Sequence, residues 1–110
     1  MRSPDAAWVR RSRLTGLTRD QKQKFLPLCP DFVIELRSPT DNLKAVQDKM
    51  QEYLGNSAQL GWLIDPLTRR VHVYRPQSQP QILESPSIVP AEPLLPGFAL
   101  DLQKIWEPDL

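Results

Sequence analysis

The sequence is poor in cysteine and glycine and has no long apolar run, and these shortages exclude whole classes of protein. Its 110 residues include one cysteine, Cys29. A single cysteine forms neither an internal disulfide nor a zinc site, which agrees with the reducing cytoplasm. No window approaches the roughly 18 apolar residues that a membrane-spanning helix requires. The N-terminal stretch MRSPDAAWVRR also lacks the apolar core of a secretory signal. We therefore expect a cytoplasmic protein.

Basic and acidic residues are nearly equal in number. The chain has 14 basic and 13 acidic residues, which leaves a formal net charge of +1. This charge gives no global attraction to nucleic acid, although a local basic patch is compatible with it. The cluster of Arg10, Arg11 and Arg13 fits either phosphate contacts or a solvated loop.

The length suits one domain, predicted to span residues 1–110, that buries roughly 65% of its unfolded surface. Twelve prolines outnumber four glycines, and most prolines lie between the periodic segments, where they stiffen loops. Apolar spacing predicts strands at 5–9 and 31–37, a polar helix at 18–26 and the clearest helix at 41–55. Further strands are predicted at 61–65, 70–75 and 81–84. The stretch GFALDL and a helical turn around LQKIW come last. This order predicts a mixed α/β layer with a central sheet.

One acidic residue interrupts the apolar strand at 31–37. The alternation places Phe32, Ile34 and Leu36 on one face and Val33, Glu35 and Arg37 on the other. A carboxylate in such a strand is costly unless it is paired or binds a cation. Glu35 is therefore a candidate site residue, and its alternative interpretation is a polar residue tolerated in an edge strand.

The helix predicted at 41–55 offers a partner for Glu35. Its apolar stripe consists of Leu43, Val46, Met50, Tyr53 and Leu54. Lys49 lies at the edge of this stripe, whereas Lys44 points away from it. The stem of Lys49 can therefore follow the seam between helix and sheet and place its ammonium near Glu35. Ser38, Thr40 and Asp41 are candidate caps of this helix.

A second acid, Asp5, follows Pro4 and lies thirty residues before Glu35, a spacing that suits adjacent strands. Two carboxylates with water and phosphate oxygens can hold Mg²⁺, and a nearby lysine can stabilise charge on a phosphate. Spacing alone leaves Asp5 equally compatible with a turn residue.

Asp65 is predicted to begin a hairpin turn, and His72 is predicted to face solvent.

Several motifs resemble, in order, those of the Uma-two family of restriction-endonuclease-like proteins in the PD-(D/E)xK nuclease superfamily. They are SPDAAWV, PDFVIELRSPTD, KMQEYL, GWLIDP, VYRP and LPGFALDL, and together they cover nearly the whole chain. The resemblance implies a restriction-endonuclease-like mixed sheet flanked by helices. It also implies DNA cleavage that depends on Mg²⁺ or Mn²⁺.

Carried over by position, the resemblance implies that Asp5 and Glu35 are catalytic and bind the metal, and that Lys49 is the catalytic lysine. The usual superfamily position of the lysine, two residues after the acid, holds Arg37 here. Arginine stays protonated and does not act as a general base. The helix position of Lys49 matches a lysine that has moved within this family, in agreement with the helical wheel. Gln47 is a weaker candidate.

The family usually has a further helix and hairpin before the SPD motif, so we expect a chain that lacks this part of the domain. Three hypotheses follow. The first is a metal-dependent DNA endonuclease. The second is a catalytically inactive remnant that acts at most as a binding or dimerisation module, with a homodimer covering an open sheet edge. The third is a nucleic-acid-binding module without chemistry.

Overall fold

The computed structural model describes residues 5–8 and 30–108, in which two helices and seven strands occur. The strands are β1 (Ala6–Trp8), β2 (Phe32–Leu36), β3 (Leu60–Asp65), β4 (Arg70–Tyr74), β5 (Gln81–Glu84), β6 (Ile88–Pro90) and β7 (Ala99–Asp101). The helices are α1 (Leu43–Gly55) and α2 (Gln103–Trp106). Within these described residues, no helix has the length and apolar character needed to cross a membrane.

The first five strands form one mixed sheet in the order β1-β2-β3-β4-β5. Strands β2 and β3 are parallel, and the other neighbouring pairs are antiparallel. Parallel neighbours need a crossover connection, and α1 provides it between β2 and β3. The predicted mixed α/β sheet is confirmed, and α1 lies where the site hypothesis requires it.

Both faces of this sheet are covered. On one face, α1 packs over a buried cluster of Val33, Met50, Tyr53, Ala58, Leu63 and Tyr74. On the other face, a larger cluster contains Phe32, Leu60, Trp62, Ile64, Val71, Val73, Val89, Ala91, Leu102 and Trp106. The rings of Phe32 and Trp62 meet edge to face there, with centroids 4.8 Å apart. The predicted alternation of β2 is therefore confirmed, because Phe32 and Val33 enter opposite cores.

The segments that cover the second face were only partly predicted. Strand β6 lies in a proline-rich part of the chain, where the prolines predict loops, and it pairs antiparallel with β7. Pro90 ends β6, where the small two-stranded sheet tolerates a residue without a backbone N–H. The helix predicted at 18–26, Cys29 and the cluster of Arg10, Arg11 and Arg13 lie outside the described residues.

The cap of α1 differs from the prediction. Asn42 is the N-cap, and its side-chain oxygen accepts a hydrogen bond from the amide of Ala45. Asp41 instead accepts a hydrogen bond from the amide of Ser38 and closes the preceding turn. The SPTDN stretch contains several residues that cap helices well, and the tight turn at 38–41 selects the last of them.

His72 is buried rather than solvent-facing, so that prediction is wrong. It lies in β4 between Leu63 of β3 and Ile82 of β5. The same face of β4 carries Tyr74, which belongs to the cluster beneath α1. Alternation of Val71, His72 and Val73 reveals two faces but does not reveal that both are covered. Burial lowers the pKa of His72, with Arg70 adding to the effect and Asp65 and Glu84 opposing it.

Gly61 marks the closest approach between α1 and the sheet. A Cβ added at Gly61 would lie 2.6 Å from Met50 Cε and 3.3 Å from Val33 Cγ2. Both neighbours are fully buried, so we expect Gly61→Ala to lower the free energy of unfolding by about 1–3 kcal/mol. Urea denaturation measures the change.

Gly55→Ala is the matched control, because a Cβ at this helical position meets nothing within 4 Å. It should raise the free energy of unfolding by about 0.5–1 kcal/mol through helix propensity. Equal effects of the two substitutions would contradict the close approach at Gly61.

His72 is the only histidine of the chain, and it should make stability depend on pH near neutrality. Burial lowers its folded-state pKa below the ordinary histidine value of 6.5, so the unfolded chain binds the proton more readily. We expect the free energy of unfolding to fall as pH drops below about 6.5, and His72→Gln to flatten this dependence. Urea titrations between about pH 5 and 8 measure it. A rise in stability on acidification that depends on His72 would contradict the lowered pKa.

Candidate active site

Glu35 lies on the face of β2 that α1 covers, and only 4% of its surface is exposed. It pairs across the sheet with Leu63 and follows the fully buried Val33 on the same face. An ionised carboxylate in such surroundings requires paired charge or hydrogen bonds. The sequence interpretation of Glu35 as a tolerated edge-strand residue therefore does not fit its position.

Two side chains of α1 reach the same oxygen of Glu35. Lys49 Nζ lies 3.0 Å from Glu35 Oε1, and the Tyr53 hydroxyl donates a hydrogen bond of 3.0 Å to that oxygen. Lys49 and Tyr53 are four residues apart, which places them one above the other on one face of the helix. The predicted approach of Lys49 to Glu35 is present, and Lys49 keeps 23% of its side chain exposed.

Sequence reasoning assigned Tyr53 to the apolar stripe and did not see its role at Glu35. Its ring is buried in the cluster beneath α1, as the stripe predicted. The hydroxyl was the available signal, because a buried tyrosine usually finds a hydrogen-bond partner. In the described structure that partner is the candidate acid itself.

Asp5 meets β2 at the end of the β1–β2 ladder. The pairing of Ala6 with Ile34, continued by one residue, brings Asp5 opposite Glu35. The Asp5 Oδ2 atom accepts a hydrogen bond of 2.7 Å from the amide of Leu36. This side chain is exposed, unlike Glu35. The structure thus brings together the strand ends that carry both predicted acids.

Arg37 is directed away from Glu35 and toward a second buried acid. Its Nη1 atom lies 2.9 Å from Oδ2 of Asp65, which is fully buried. Its Nε atom donates a hydrogen bond to the carbonyl oxygen of Asp41. Arg37 therefore joins the end of β3 to the turn before α1.

Asp65 begins the hairpin turn, as predicted, and its carboxylate also accepts hydrogen bonds from residues of that turn. Its Oδ1 atom accepts a hydrogen bond from the amide of Leu67, and its Oδ2 atom accepts one from the Thr68 hydroxyl. Burial alone would raise the pKa of Asp65, but the hydrogen bonds from Thr68, Arg37 and Leu67 outweigh it and lower the pKa. Both oxygens of this carboxylate are used for structure.

The carboxylates of Asp5 and Glu35 fit a hard divalent cation better than a structural metal centre. Among residues 5–8 and 30–108 no group of three or more His, Cys, Asp or Glu side chains could hold a metal ion. Mg²⁺ commonly uses only one or two protein carboxylates, with water and phosphate oxygens as its other ligands. Glu35 Oε2 and Asp5 Oδ1 accept no hydrogen bond from the described residues.

We expect Asp65→Ala to destabilise the protein by about 3–5 kcal/mol, because it leaves Arg37 without its buried partner. Urea denaturation at neutral pH measures the loss. Since the pKa of Asp65 is lowered from 3.8, its contribution is complete above that pH and is lost as pH falls through the folded-state pKa.

Glu84→Ala is the control for this substitution. It removes an exposed partner of Arg70, in a pair with an Nε–Oε1 distance of 3.0 Å, and should cost less than about 1 kcal/mol. Similar losses in both variants would contradict the structural role assigned to Asp65.

Comparisons with known proteins indicate the family of this chain. A search of curated proteins found no match. Four chains of solved structures match. One is the crystal structure of a "putative nuclease belonging to DUF820" from Anabaena variabilis, with 32% sequence identity and a TM-score of 0.65. The match covers 76% of this chain and 46% of that one, so this chain spans less than half of its structural relative.

The family model Uma2, described as "Putative restriction endonuclease", matches residues 1–103. The chain therefore belongs to the Uma2 family.

Proposed function

We propose that this protein is a metal-dependent DNA endonuclease that hydrolyses phosphodiester bonds, with Asp5, Glu35 and Lys49 as its catalytic residues. The observation that carries the proposal is the buried Glu35 carboxylate, whose Oε1 atom lies 3.0 Å from Lys49 Nζ. An acid, a lysine and a second acid on the neighbouring strand suit phosphoryl chemistry. The description of the Uma2 family and the name of the Anabaena variabilis relative support the same class of reaction.

The two acids would hold Mg²⁺ or Mn²⁺ through the oxygens that the described residues leave without hydrogen bonds, Glu35 Oε2 and Asp5 Oδ1. When bound, such a cation lowers the pKa of its water and neutralises charge on the phosphate. The differing exposure of the acids suits this role. Glu35 is fixed from below by α1, whereas Asp5 is exposed at the strand end, where a DNA phosphate can approach.

Lys49 supplies positive charge at the same place. An ammonium has three N–H donors, and the contact with Glu35 uses one of them. Because part of the Lys49 side chain is exposed, its remaining donors can bind a phosphate oxygen and stabilise charge that develops there. Arg37 does not share this role, because its guanidinium is bonded to Asp65 and Asp41.

Cleavage of a supercoiled plasmid or a short DNA duplex with Mg²⁺ or Mn²⁺ tests the proposal. We expect Glu35→Gln and Lys49→Met each to reduce the rate about 100-fold or more, as typical for loss of a group that stabilises transition-state charge. EDTA should abolish cleavage.

Two matched variants separate the site from general damage. Glu84→Gln alters an exposed acid on the same sheet, and Lys44→Met alters an exposed lysine on the same helix, which pairs with Asp48. Both should keep the wild-type rate. Cleavage by Glu35→Gln at the wild-type rate would overturn the site assignment. A folded wild-type protein that neither cleaves DNA nor is stabilised by Mg²⁺ would favour the inactive binding or dimerisation module instead.

A further inference from the structure

The site contains a fourth side chain, Tyr53, whose position the chemistry of Asp5, Glu35 and Lys49 does not explain. The Tyr53 hydroxyl donates to Glu35 Oε1, the atom that also lies 3.0 Å from Lys49 Nζ. Tyr53 is 4% exposed, so its phenol is fixed within the cluster beneath α1. Two donors from one helix thus converge on one carboxylate oxygen.

This convergence makes the two oxygens of Glu35 different. Oε1 receives both donors, whereas Oε2 accepts no hydrogen bond from the described residues. The oxygen suited to a cation is therefore the one that α1 leaves open.

Lys49 alone would not maintain this difference. An ammonium on a flexible stem is a point charge that can approach either oxygen of a carboxylate, and Lys49 is partly exposed. A phosphate that attracts Lys49 would also weaken its hold on Glu35. The Tyr53 ring is rigid and buried, so its hydroxyl keeps the carboxylate in one orientation whichever oxygen Lys49 approaches.

We propose that Tyr53 is the positioning residue of the site. It holds Glu35 Oε1 so that Oε2 faces the cation, and it leaves the N–H donors of Lys49 available for the DNA phosphate. This inference rests on the proposed function. Partners that orient a metal ligand through its other atoms typically contribute a factor of 10–100 in metal affinity or activity.

Tyr53→Phe tests the role, because it removes the hydroxyl and keeps the ring. Tyr74→Phe is the matched control. Tyr74 is buried in the same cluster, and its hydroxyl makes no hydrogen bond with the described residues. Burial raises the pKa of Tyr74, so its phenol is neutral and the substitution removes no charge. Mn²⁺ affinity is measured by calorimetry on the full chain without DNA, and kcat and KM are measured on a short duplex at saturating Mn²⁺.

We expect Tyr53→Phe to weaken Mn²⁺ binding about tenfold or more and to lower kcat, with the KM for DNA nearly unchanged. Tyr74→Phe should stay within about twofold of wild type in each quantity. Melting temperatures of both variants distinguish positioning from packing, since lost packing alone shifts the melting temperature and leaves the Mn²⁺ affinity of the folded protein unchanged.

Equal Mn²⁺ affinities of Tyr53→Phe and Tyr74→Phe would overturn the role of Tyr53. In that case the proposed function would still be supported if the wild-type protein cleaves DNA and Glu35→Gln does not. A folded wild-type protein that neither binds Mn²⁺ nor cleaves DNA would overturn both.

Discussion

A carboxylate buried within a β-sheet must be compensated, and the arrangement around α1 depends on how Glu35 is compensated. Its partners, Lys49 and Tyr53, both come from one helix and are spaced one turn apart. Their reach requires α1 to lie close over β2 and β3. The absence of a side chain at Gly61 permits that approach, because Met50 occupies the space that a Cβ would need. Packing of the helix and compensation of the acid are therefore one constraint.

Asp65, another buried acid, shows what a structural carboxylate looks like in the same sheet. Asp65 has both oxygens engaged, one by the Leu67 amide and the other by Arg37 and Thr68. Glu35 has only one oxygen engaged by the described residues. The two acids lie on the same face of neighbouring strands and are both nearly inaccessible. Satisfaction of the second oxygen, rather than burial or charge, is what separates a structural acid from a candidate ligand.

The contact of Arg37 with Asp65 explains why Arg37 does not serve Glu35. In sequence it occupies the place where the superfamily usually has a lysine, and there it could be interpreted as a second source of positive charge for the reaction. The structure directs it to Asp65, across the parallel pair of strands β2 and β3. The Arg37 guanidinium is bonded to Asp65 and to the Asp41 carbonyl. Among the described residues, the positive charge in contact with Glu35 is therefore that of Lys49.

The sequence by itself determined the alternation of β2, the apolar stripe of α1 and the position of Lys49 at the edge of that stripe, because strand and helix periodicities are local properties. It could not show that β6 covers the second face of the sheet, that His72 is buried, or that Asn42 caps α1. Each of these depends on which distant segment packs against a face. Tertiary structure alone decided that Tyr53 bonds to Glu35 and that Arg37 bonds to Asp65, because residues 18 and 28 positions apart meet only after the sheet has formed.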